Sequence, residues 1–177
     1  MTPPPWINAA IRSVIWLGAA GGLAYLKKPD GASVLAVRPD AIGWLAGGIC
    51  VAGLALHVWS NAALARGERQ ATAGTSPLVM DGPFRYVRNP IYLAGITLLL
   101  GVGLLYPAWE AKDLVLPLLL LGYFHWAVVR VEEPALRRHF SPTYEEYCQR
   151  VPRWFPAPAS LGRAARQGGA TGASHPG

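Results

Sequence analysis

Charge is scarce in this sequence. Only 15% of its 177 residues are charged, whereas 52% are hydrophobic, a balance that argues against a soluble domain. Cysteine is nearly absent too. Cys50 lies within an apolar stretch and Cys148 far away near the C-terminus, so a disulfide framework is not expected. With only four scattered histidines, the chain shows no metal-ligand spacing, and no metal is expected. No internal repeat occurs. The opening MTPPPW lacks the basic region of a signal peptide and no small-residue cleavage site follows; the first apolar stretch is read as a retained helix. Gly101-Val102-Gly103 follows no strand, so it reads as close helix packing rather than a nucleotide loop.

What the chain does have is long uncharged runs. Ala41–Ala65, Ile91–Trp109 and Leu114–Val129 carry no charge, and Trp6–Leu26 carries only Arg12. A span needs about 20 apolar residues. The expectation is an all-α membrane protein: four transmembrane helices plus a short cytoplasmic C-terminal helix. The net charge of +6 then reports orientation rather than nucleic-acid binding. Arg66, Arg69, Arg85 and Arg88, with Arg130, Arg137, Arg138, Arg150, Arg153, Arg163 and Arg166, fall on one side. Lys27, Lys28, Arg38 and Lys112 fall on the other. The first group is assigned to the cytoplasm, together with both termini. Residues 1–156 form the membrane domain, with a cofactor-binding half at 78–156, and 157–177 read as a disordered tail.

Local signals set the helix limits. Asn89 is a favoured N-cap and Pro90 a favoured first residue, so the third helix starts there. Pro134 is expected to end the fourth. Ser141-Pro142 repeats the cap-then-proline signal before a short helix whose Tyr144, Tyr147 and Val151 recur at helical spacing.

Polar residues gather at the inner ends of the last two long helices. One end carries Arg85, Tyr86, Arg88, Asn89 and Tyr92; the other carries Arg130, Glu132 and Glu133. Ionisable groups at membrane depth are candidate functional groups. Two carboxylates at a helix C-terminus also oppose the helix dipole, so neutralising one should not destabilise that end. Each residue has a plainer reading. Asn89 could only cap, the tyrosines could belong to an interfacial belt, and the arginines could only mark orientation. Glu133 could cap a helix beginning at Pro134. His57 and His125 read as packed or interfacial residues.

The stretches GPFRYVRNPIYLAG (82–95) and EEPALRRHFSPTYEEYCQRVPRWFP (132–156) resemble the isoprenylcysteine carboxyl methyltransferase and phospholipid methyltransferase superfamily of integral-membrane enzymes. The resemblance covers Leu78–Pro156, both halves in order. It implies S-adenosyl-L-methionine as cofactor, held by Arg88, Asn89, Tyr92, Glu132 and Glu133 and closed over by Tyr144 and Tyr147. Arg153 and Asn89 are the candidate catalytic residues, Arg153 orienting an acceptor or cofactor carboxylate. Asn89 stands where prenylcysteine enzymes carry histidine, so their substrate does not follow. The implied reaction is methyl transfer to a lipophilic or membrane-partitioning carboxylate, amine or thiol. The ending YCQRVPRWFP also resembles sterol reductases, which would make the chain an NADPH-dependent membrane reductase. A non-catalytic bundle is the third reading.

Overall fold

A computed structural model describes residues 5–27, 37–70, 77–106 and 114–156. Among these residues all regular structure is helical: α1 (Pro5–Lys27), α2 (Ala41–Gln70), a 3-10 turn (Gly82–Arg85), α3 (Pro90–Leu105), α4 (Val115–Ala127), a π-helical turn (Val128–Glu132), α5 (Glu133–Phe140) and α6 (Thr143–Arg150). The expected tail at 157–177 lies outside the described residues.

α3 is the central helix. Ten of its 16 residues are buried, and it packs against α1, α2 and α4. Small residues permit the closest approaches. Gly53 on α2 faces the backbone of Leu98, and Gly101 on α3 faces Cys50, in each case where a Cβ would collide. Gly101 therefore fulfils the packing role expected of it, whereas Gly103 faces open space. Gly95 forms the seat for the indole of Trp16 on α1, which also meets Phe124 of α4 at 4.9 Å between ring centres.

The outward faces are apolar. Val14 and Leu17 on α1, Trp44 and Val51 on α2, and Leu118 and Leu119 on α4 are exposed. Such a surface marks contact with a membrane or another apolar partner. Among the described residues two helices, Ala41–Arg69 and Val115–Phe140, are long and apolar enough to cross a membrane; Ser13–Leu26 and Pro90–Leu105 are shorter apolar helices.

One helix limit agrees with the sequence reading, which puts a turn at Tyr106–Asp113, and one differs. α3 ends at Leu105, because Tyr106 precedes Pro107 and takes an extended conformation (φ −100°, ψ 148°), as the proline ring demands of its neighbour. Pro134, in contrast, does not stop the fourth helix, which runs 26 residues to Phe140. The π turn, in which the Glu133 N–H reaches back to the Val128 carbonyl, resets the register. Pro134 then falls in the first turn of α5, where no donor is needed.

The C-terminal stripe is as expected. Tyr144, Tyr147 and Val151 are buried together against Leu78, Leu136 and Phe140. Ser141, however, closes α5 rather than capping α6, its extended backbone breaking the helix before Pro142.

Candidate functional site

The site begins at a turn that only glycine makes easily. Gly82 has φ +60°, a left-handed conformation, and sits against Trp59 and Ala63 of α2. Pro83 is buried and opens the 3-10 turn. The chain then reaches Arg88 and Asn89 at the start of α3, and two bonds attach it there to the C-terminal segment. The Arg88 N–H donates to the Pro152 carbonyl at 2.9 Å, and Asn89 Nδ2 donates to the Arg153 carbonyl at 3.2 Å. Asn89 occupies the cap position, its carbonyl accepting from Leu93, but its side chain makes no capping bond. The side-chain cap expected from the sequence is thus replaced by a long-range bond.

Glu133 is the electrostatic centre. It is 3% exposed and accepts from Arg153 through both oxygens, Nε at 2.7 Å and Nη2 at 2.9 Å. Arg88 Nη1 adds a third bond at 3.0 Å and a contact to Cys148 Sγ at 2.9 Å. A buried carboxylate survives only with such partners. The dipole penalty expected for Glu133 does not arise, since the helix continues past it. The neutralising arginines are Arg88 and Arg153, whereas Arg137 pairs with Glu145 at 2.8 Å. The hydrogen bond to Glu133 raises the pKa of the Arg153 guanidinium, so the pair stays ionised.

Beside this clasp lies a cavity of about 360 Å³. Arg88, Asn89, Tyr92, Glu132, Glu133, Tyr144 and Tyr147 all line it, so the structure brings together every residue expected to hold the cofactor. Arg153 is absent from the lining and reaches the cavity only through Glu133 and Asn89. Tyr92 is buried, stacks on Phe124 at 4.5 Å and donates its hydroxyl to Glu132. The π turn serves this arrangement, because it lets the neighbouring Glu132 and Glu133 both reach one cavity. Burial raises the pKa of the Tyr144 and Tyr147 phenols. They stay protonated, and Tyr147 donates to the Phe84 carbonyl at 2.7 Å. Neither is suited to act as a base near neutrality. The buried Arg88 Nε has no hydrogen-bond partner among the described residues, leaving one cationic donor unspent beside the cavity.

Sequence reading missed several contributors. Trp154 donates to His125 Nδ1 at 3.1 Å, binding the C-terminal segment to α4. Leu78, Val79, Leu136 and Phe140 furnish apolar wall; the first two come from a loop without any periodicity to reveal them. His57 is packed, 7% exposed and bonded to Ser13 at 2.9 Å. Among the described residues no group of three or more His, Cys, Asp or Glu is placed to hold a metal ion.

The phospholipid methyltransferase family model matches residues 42–143, more than half of the chain. The chain belongs to that family. The match spans α2, the Gly82 turn, α3 and the acidic pair, and stops just before Tyr144, Tyr147 and Arg153. NccN, a nickel-cobalt-cadmium resistance protein of Alcaligenes xylosoxydans xylosoxydans, is 30% identical over 84 residues. That alignment covers 46% of this chain and 37% of NccN, so the shared region is well under half of that protein. No solved structure matches. The family is described as one of phospholipid methyltransferases, and nothing in the comparisons favours the reductase reading.

Proposed function

We propose that this protein transfers a methyl group from S-adenosyl-L-methionine to a lipophilic acceptor at the cytoplasmic face of a membrane that it spans four times. The observation that carries the reading is the cavity itself. Acidic, cationic and aromatic side chains converge on a mostly apolar space, whose volume lies within the usual range of about 300–1,000 Å³ for small-molecule sites.

The residues present fit the cofactor. Glu132 and Glu133 suit a ribose diol or an ammonium group, and Arg88, with its unspent Nε, suits a carboxylate. Tyr92 offers an aromatic face, to which a cation is attracted. When bound, the cofactor supplies a methyl group activated by a sulfonium centre. The protein's part is to hold the reactants in line and to exclude water, since sulfonium charge disappears on transfer and a low dielectric favours that loss. Arg153 and Asn89, assigned to catalysis from the resemblance, support the site through Glu133 and the Pro152–Arg153 backbone. No side chain is assigned as a general base; a nucleophilic amine, thiol or carboxylate does not require one.

Calorimetric titration of the purified protein with S-adenosylmethionine, S-adenosylhomocysteine and NADPH in parallel tests the proposal. The two adenosyl compounds should bind and NADPH should not. Binding of NADPH alone would overturn the reading.

A further inference from the structure

We infer that Gly67, outside the cavity, sets the size of the acceptor a methyl transferase of this shape admits, by fixing the position of Val79. The inference rests on the methyl-transfer reading for the word acceptor, but not for the geometry. The segment Pro77–Val79 forms one wall of the cavity and is held from two sides. On one side Val79 lies in a notch on α2 made by the missing side chain of Gly67, where a Cβ would collide with the valine methyl. On the other side Leu78 packs with Tyr144, Tyr147 and Val151.

This wall faces Leu136 and Phe140 of α5, with Phe84 and Leu64 completing an apolar lining. The charged groups on the cavity are Arg88, Glu132 and Glu133, all at the α3–α5 end. The remaining lining suits hydrocarbon, and the substrate class it selects is an acceptor carrying a short alkyl chain next to its nucleophilic atom. A methyl group added at position 67 must displace Val79. Because Leu78 is pinned by α6, the segment cannot lift without unpacking that cluster, so Val79 turns inward and the space shrinks. The helix itself accepts alanine readily, since alanine is the better helix former.

The test uses the full-length protein in phosphatidylcholine vesicles as wild type, Gly67→Ala, Val79→Leu and the double variant Gly67→Ala/Val79→Ala. Each is photolabelled with diazirine-tipped hexyl, nonyl and dodecyl amines, and the labelled peptides are mapped by mass spectrometry. The wild type should be labelled at the Leu78–Val79 and Leu136–Phe140 peptides. Gly67→Ala and Val79→Leu should each lose labelling by the longer probes, at about fourfold for each excluded methylene. The double variant should recover it. S-adenosylmethionine affinity, measured calorimetrically on the wild type and Gly67→Ala, should be the same. Equal labelling of all four proteins, or labels confined to lipid-facing positions of α1, α2 and α4, would overturn the inference. The expected labelling pattern without S-adenosylmethionine binding would instead sink the methyl-transfer reading and leave the cavity wall standing.

Discussion

At the scale of single residues, the sequence disclosed which side chains meet but not how they are bonded. Arg88, Asn89, Tyr92 and the acidic pair were legible because charge and amide groups at the end of an apolar run have few harmless explanations. Their partners were not legible, since Glu133 takes its strongest bonds from a residue 20 positions away and another 45 away. This changes what Glu133→Gln should do. With the dipole argument removed, the variant loses the carboxylate that neutralises Arg88 and Arg153. Leaving the largely buried Arg88 short of a partner typically costs about 1–3 kcal/mol, so Glu133→Gln should melt at a lower temperature than wild type. It should also bind S-adenosylmethionine more weakly. Leu136→Ala serves as a control that lowers stability through packing, and melting curves with calorimetry in one detergent separate the two. A glutamine variant as stable as wild type would mean that the clasp contributes nothing.

At the scale of elements, helices were readable where period and caps agreed and misread where a proline sat beside a π turn. α1, α2 and α6 follow their apolar patterns, as does the start of α3, because those patterns alone determine a buried face. The π turn has no such signature. An extra residue in a helical turn preserves composition and nearly preserves hydropathy, so VVRVEEP reads as an ending when it is a change of register. The turn's function can be tested by length. Inserting an alanine after Val131, an exposed residue, lengthens the segment by one residue. Carried as a further α-helical residue, it rotates everything beyond it by about 100° and shifts it by about 1.5 Å relative to α4. Glu133 would leave the reach of Arg88, and Arg153 could not bond both. The insertion variant should keep its helical circular dichroism yet lose S-adenosylmethionine binding. Replacing Val131 by alanine, which keeps the count of residues, should preserve binding. Retained binding in the insertion variant would show that the register is unimportant to the site.

For the molecule as a whole, the open matter is whether α3 crosses the membrane with its neighbours. At 16 residues it is about 24 Å long, short of the roughly 30 Å hydrocarbon core. Two features argue that it crosses. It is enclosed by α1, α2 and α4, so its length need not match the bilayer as a lipid-facing helix must. Its far end is also tied to the beginning of α2, where the Arg38 N–H donates to the Leu105 carbonyl at 3.0 Å. Asp40 caps α2 at that same point through the Gly43 N–H, at 2.9 Å. If α2 spans, the end of α3 lies on the side where α2 starts, opposite the cavity. The basic residues Arg66, Arg69, Arg130 and Arg138 belong to the end of α2, the π turn and α5 nearer the cavity, and the positive-inside rule leads us to propose that this face is cytoplasmic. Single cysteines test both points in one experiment, in a background carrying Cys50→Ala and Cys148→Ser. Val37→Cys lies before α2 and Glu146→Cys on the exposed side of α6, with three candidate crossings between them: α2, α3 and the continuous α4–α5 helix. An impermeant maleimide applied to intact cells should label position 37 at once and position 146 only after permeabilisation. The reverse pattern would invert the orientation. Equal labelling of both would mean that one of the three intervening helices does not cross, and the bond between Arg38 and Leu105 makes α3 the least able to be that exception.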